Sequence, residues 1–168
     1  MPRPNRLPML MRYTAWANDL LFQSLAKLPE EALVEKRPIV FGSILRTLNH
    51  VYAMNWVWRC HLEGVPHGLT TRNPPTAPSF GELREAQAAL DAWYIAYADG
   101  LDDAELAKIV DFTFIGGGEG AMSREDILLH VVNHTTYHRG HTAGLMYQIP
   151  VMPPTTDLPV FLREYASA

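Results

Sequence analysis

The stretch SREDILLHVVNHTTYHRGHTAGLMYQIP, residues 123–150, decides the fold. Ser123 stands where a helix wants an N-cap, and Asp126 follows at the third helical position. Glu125 and Asp126 place negative charge at the positive end of the helix dipole. Pro150, Pro153 and Pro154 stop the run. The stretch therefore predicts one long helix. An α-helix turns about 100° per residue. With His130 at the origin, His134 falls at about 40°, His138 at about 80° and His141 at about 20°. Ile127 and Leu145 fall at about 60° and Val131 at about 100°, whereas Arg139 falls at about 180°. The helix thus turns four of the chain's seven histidines toward an apolar side, where a core is expected.

Working outward, three more helical patterns appear. In LPMLMRYTAWANDLLFQSLAKLP, residues 7–29, Leu10, Tyr13, Thr14, Ala17, Leu21, Ser24, Leu25 and Leu28 recur at spacings of three and four. SILRTLNHVYAMNWVWRCHLEG, residues 43–64, opens on a capping Ser43 and closes on Gly64 at a C′ position. SFGELREAQAALDAWYIAYADG, residues 79–100, opens on Ser79 with Glu82 three residues on, a capping-box pattern, and carries Leu83, Ala86, Leu90, Trp93, Tyr94 and Tyr97 on one face. Residues 64–79 are rich in proline and turn formers and read as a loop. In KIVDFTFIGGGEGAMS, residues 108–123, the period changes to two: Ile109, Asp111 and Thr113 alternate with Val110, Phe112 and Phe114 before a glycine cluster, which predicts a short β-hairpin. The tail after Pro154 reads as one further short helix. Four long amphipathic helices, a long crossover and a small hairpin imply an all-α four-helix bundle in a single domain, residues 1–168.

Composition narrows the function. The chain has 168 residues, 48% hydrophobic and 19% charged, with a net charge of −4, which suits a globular protein rather than a nucleic-acid binder. No window approaches the ~18 apolar residues of a membrane span. MPRPNRLPMLMRY at the start has prolines where a signal peptide needs an apolar stretch. A cytoplasmic protein without membrane or nucleic-acid partners is expected. The single cysteine, Cys60, rules out an intramolecular disulfide framework and reads as a buried packing thiol.

Chemistry concentrates in the histidines. A buried imidazole needs hydrogen-bond partners or a metal. One would most often be a satisfied core residue; four on one stripe are hard to satisfy so. His134 and His138, four residues apart, can reach a single ion. A third ligand should come from another helix, and His50 is the candidate. His50 belongs to a second stripe with Met54, Val57, Trp58 and His61, off the face of Ile44, Leu48, Val51 and Tyr52. A helix apolar on two faces suits a bundle core plus a subunit interface. Trp16, Trp56 and Trp58 support the same expectation of a homodimer. His61 lies about 16 Å along the axis from His50 and cannot share its ion. His67 reads as a surface residue in the proline-rich loop, and His130 as a packing or supporting residue. His141 stays open between a cavity-lining residue, a proton carrier and a surface-leaning histidine; Asn133 and Tyr137 are neighbours of the pair. The HxxxH pair lacks the glutamate of HExxH and the Glu-x-x-His pairs of di-iron bundles. GGGEG lacks the strand–helix setting of a dinucleotide site.

RYTAWAND (residues 12–19), SILRTLNHVYAMNWVW (43–58), LLHVVNHTTYHRGH (128–141) and PPTTDLPVFL (153–162) resemble, in order, the DinB/YfiT-like family of metal-dependent proteins. The resemblance implies a four-helix bundle of up-down-down-up connectivity, often dimeric. It implies a metal triad of His50, His134 and His138, with a divalent ion, zinc or nickel. Relatives usually have glutamine where this chain has His141, and many have an aspartate where it has Asn55. Characterised relatives include thiol-dependent transferases and a thiol-dependent isomerase, so the resemblance implies a low-molecular-weight thiol partner and a thiol-activating transferase. The alternative is a non-catalytic metal-binding or stress-response dimer.

Overall fold

The computed structural model describes residues 6–149 and 151–165. The readings placed on residues 1–5 and on Pro150 lie outside them. The elements are α1 (Leu7–Leu25), α2 (Glu30–Val34), α3 (Ile44–Glu63), α4 (Phe80–Asp99), α5 (Asp103–Leu106), β1 (Ile109–Thr113), β2 (Glu119–Ser123), α6 (Arg124–Gln148) and α7 (Leu158–Tyr165). The architecture is mostly helical with one small antiparallel hairpin. The long helices pack α1 on α4, α4 on α3, α3 on α6 and α6 on α1, a closed ring of four.

The helix ends follow their sequences. The Ser43 hydroxyl accepts from Arg46 N–H, and Gly64 ends α3 in the left-handed region at φ 69°. Ser79 and Glu82 form a complete capping box. Ser123 accepts from Asp126 N–H at the start of α6. β1 and β2 pair with Ile109 opposite Ser123, and Phe112 is the buried residue of β1. Two short helices were not foreseen. α2 and α5 are five and four residues long, too short to show a period.

The bundle has two apolar layers. One gathers Met11, Trp58, Leu90, Tyr94, Ile127, Leu128 and Val131. The other gathers Leu21, Phe22, Leu48, Leu83, Leu145 and Met146. On α1, α3 and α6 the buried polar residues fall between these layers: Thr14 and Asn18, Asn49 and Asn55, Thr135 and Thr142. Gln87 holds the same place on α4. The predicted faces shift accordingly. On α1 the buried set includes Met11, Asn18 and Phe22, while Leu10, Ser24 and Leu28 sit at the margin. On α4 Gln87, Asp91 and Ala98 are buried, and Ala86, Trp93 and Tyr97 flank them.

The largest correction concerns α6. Arg139, read as facing away from the core, is buried. Its guanidinium donates to Tyr13 Oη at 2.9 Å and to Thr136 Oγ1 at 3.2 Å. Leu128, Thr135, Thr142 and Met146 are buried with it. The core face is centred at about 120° on the scale used above, so the histidine stripe forms its edge. That edge faces a cavity.

Candidate metal centre

His50 stands mid-way along α3, and His134 and His138 stand one turn apart on α6, which packs against it. Helix packing alone therefore brings the three together. One ring nitrogen from each lies within 4.8 Å of the other two. His50 Nε2 is 3.2 Å from His134 Nε2. A tetrahedral ion with metal–nitrogen bonds of 2.0–2.1 Å would hold two such atoms about 3.3 Å apart. The rings meet at steep angles, with His138 edge-on to His50 and to His134 at centroid distances of 4.7 and 4.5 Å. This group could hold a metal ion.

Two of the rings are oriented from behind. His50 Nδ1 lies 2.8 Å from the Arg72 carbonyl, which can only accept. That nitrogen carries the proton, and the Nε2 lone pair turns to the cluster. The proline-rich loop is fixed for this task. Arg46 donates to the carbonyls of Asn73 at 3.1 Å, of Pro75 at 3.3 Å and of Pro74. Asn73 Nδ2 returns a bond to the Arg46 carbonyl at 3.0 Å, and Asn49 Nδ2 donates to Asn73 Oδ1 at 2.7 Å. Phe41 stacks on His50 at 4.1 Å. His138 Nδ1 lies 3.1 Å from His141 Nδ1. With the proton on His138, its Nε2 is likewise left to the cluster. His134 Nδ1 is buried without a protein partner.

Electrostatics keeps these nitrogens free of protons. Burial, then His138, His50 and His130, pushes the His134 imidazolium down to about 3. Burial, then His50 and His141, pushes His138 down to about 4. Burial lowers His50 too, against the pull of the Arg72 carbonyl. Three neutral imidazoles at physiological pH are what a divalent ion requires of its ligands. The donor set fits a metal.

The cluster opens into a cavity of about 680 Å³. Met54, Val57, Trp58 and His61 of α3 form one wall. The second apolar stripe of this helix therefore lines a cavity. The three tryptophans are likewise engaged within the chain: Trp16 on Phe161 at 5.5 Å, Trp56 donating to the His67 carbonyl at 3.2 Å, and Trp58 edge-on to Phe112 at 4.9 Å. His130 lines the cavity, stacked on His134 at 5.6 Å and edge-on to Trp58 at 5.0 Å. His141 is a lining residue and a partner of His138. Tyr137, expected as a supporting or pocket residue, also lines the cavity, meets the His141 ring at 4.5 Å and is 63% exposed. Asn133 is exposed. His67 is half-buried against His61 at 5.5 Å, not a plain surface residue. Cys60 is fully buried, and burial raises its thiol.

Sequence reading missed Arg72, Phe41 and the Arg46–Asn49–Asn73 clamp. Arg72 acts through its backbone carbonyl, which no residue type announces. Asn49 next to His50, above a loop containing Asn73, was the one signal on offer.

Comparisons with known proteins bear on the fold and the family. Protein DinB of Bacillus subtilis (strain 168) is 26% identical over 159 residues, covering 91% of each chain. The crystal structure of a DinB-like protein from Bacillus cereus ATCC 10987 superposes with a TM-score of 0.66 at 20% identity, over 86% of this chain and 91% of that one, which establishes a shared fold. The DinB family model matches residues 1–166, and the chain belongs to the DinB family.

Proposed function

We propose that His50, His134 and His138 hold one divalent ion, zinc or nickel, and that the protein uses it to activate a low-molecular-weight thiol for transfer to an electrophile. The observation that carries this reading is the convergence of three neutral imidazoles, two of them oriented from behind, at the wall of an apolar cavity. When bound, the ion supplies a Lewis-acid centre that holds a thiol as thiolate, or a water as hydroxide, near neutral pH. His50, His134 and His138 would hold the ion and leave it able to take one further ligand. Imidazole suits zinc and nickel alike. Phe41 and Trp58 keep bulk water from the ligand side and hold the organic part of a substrate. No carboxylate lines the cavity among the described residues, so the proton a thiol gives up passes to His130 or to solvent.

The same lack of a carboxylate base favours a second reading, a metal-binding or stress-response dimer without turnover. The test is a panel of bacterial thiols and electrophilic acceptors, offered to metal-loaded protein. Turnover above that of free metal, lost in His134→Ala, supports the enzyme. No turnover across the panel supports the second reading.

A further inference from the structure

The cavity carries information about its ligand that the metal centre alone does not. Its volume of about 680 Å³ is that of a site for a drug-sized molecule. The side walls are apolar and come from three places: Phe41 of the loop before α3, Met54, Val57 and Trp58 of α3, and Phe112 and Phe114 of the hairpin. Charge in the lining has one sign. Arg72 contributes a cation, the histidines contribute imidazoles, and among the described residues no aspartate or glutamate lines it. With an ion held at the three-histidine end, a cation placed here would face that ion and Arg72 with no counter-charge, whereas an anion would meet both.

The cavity also has a second polar end. His61 lies three turns along α3 from His50, about 16 Å by helix rise. Its ring packs on Trp58 at 5.5 Å and on Phe112 at 5.4 Å, with His67 edge-on at 5.5 Å. These are contacts between rings, and they leave the His61 nitrogens available to a ligand in the cavity that it lines.

We propose that this cavity binds an elongated aromatic small molecule that carries an acidic group at the three-histidine end and a hydrogen-bonding group at the His61 end, and that it rejects cations. The inference deepens the reading of the site given above, and only its acidic end rests on the metal.

Three matched probes test it: a hydroxybiphenyl carboxylic acid, the corresponding neutral methanol and the corresponding cationic methylamine. Binding is measured by calorimetry on metal-free and zinc-loaded protein. On zinc-loaded protein the acid should bind tightest and the amine weakest, about tenfold or more apart, and without zinc the gap should narrow, because the ring nitrogens then offer an acid only lone pairs. Met54→Glu and Phe114→Glu place a carboxylate in the wall without touching a metal ligand. Either should weaken the acid about tenfold relative to the amine. Phe114 is 47% exposed, so its variant should fold. His61→Phe should erase the preference for the hydroxylated acid over plain biphenyl carboxylic acid. An amine that binds zinc-loaded protein as well as the acid does overturns the proposal. So does acid binding indifferent to both glutamate variants, or a hydroxyl preference that survives His61→Phe. Zinc content is measured on the same samples. One zinc per chain with no probe bound defeats the ligand assignment and leaves the metal reading standing. Probe binding with the hydroxyl preference intact, by a chain that takes up no zinc, defeats the metal reading and the acidic end with it and leaves the His61 end standing.

Discussion

His138 has two ring nitrogens, and one hydrogen bond decides which of them faces the cluster. Its Nδ1 meets His141 Nδ1 at 3.1 Å, and His50 Nδ1 meets the Arg72 carbonyl at 2.8 Å. Partners of this kind fix tautomer and ring orientation, and their loss usually weakens metal binding 10–100-fold. His141→Ala should therefore lower zinc affinity by about 10–100-fold in a competition titration. His141→Gln, which restores an acceptor, should recover most of it. Unchanged affinity in His141→Ala would mean that His138 is oriented by something else. The three clustered histidines were legible at this scale because helical spacing places them. Their supports were legible only in part. His141 declared itself by its position in the run, whereas Arg72 supports His50 through a group every residue possesses.

Among the elements, the hairpin and the proline-rich loop do the most for the site. Phe112 is the buried residue of β1, wedged against Trp58 and His61. Its ring lies over Gly120 of the opposing strand, where an added Cβ would come within 2.6 Å of Phe112 Cε2 and Cζ. Trp58 and His61 hold other sides of the ring, so it can yield only toward the cavity that it lines. Gly120→Ala should destabilise the fold by about 1–3 kcal/mol, the usual effect of overpacking, read as a shift in denaturation midpoint. A midpoint equal to that of the parent would show that the hairpin moves freely. The alternation of residues 109–114 was enough to predict this hairpin, and the capping serines were enough to start α3, α4 and α6. The loop 64–79 was legible as a loop and no more. Its function depends on Arg46, Asn49 and Asn73 closing on one another across some twenty-five residues, a long-range pairing without a local pattern. The cavity wall on α3 was visible as an apolar stripe, but a stripe looks the same whether it faces a partner subunit or a ligand space.

At the scale of the whole molecule, titratable groups buried in the bundle set its response to pH. His50, His61, His130, His134 and His138 all have imidazolium forms disfavoured chiefly by burial. In each, the unfolded chain gains protons first as pH falls, so the stability they contribute is present above about pH 6.5 and is lost as pH drops toward their folded values. His134 alone, lowered from 6.5 to about 3, should remove about 2 kcal/mol by pH 5. Asp91 opposes them. It accepts from Asn18 at 2.9 Å and from Gln87 at 2.8 Å, yet burial raises it to about 6, against the influence of Arg139. Its protonated form stabilises the fold below about pH 4, an effect lost as pH rises through about 6. One carboxyl against five imidazoles leaves a clear sign: metal-free protein should melt at lower temperature at pH 5 than at pH 7.5. Equal melting temperatures would contradict the burial of the histidines. No described helix is long and apolar enough to cross a membrane. With the three tryptophans engaged within the chain, a homodimer rests on the family resemblance. Sedimentation at micromolar concentration tests it, and a lone species near 18.9 kDa would remove it. The central claim, that His50, His134 and His138 form one metal site, is tested most directly by elemental analysis of protein purified without a histidine tag. About one divalent ion per chain, lost together in His50→Ala, His134→Ala and His138→Ala while helicity persists, is the predicted result. Parent protein that takes up no ion, or alanine variants that keep their metal and their melting temperature, would contradict it.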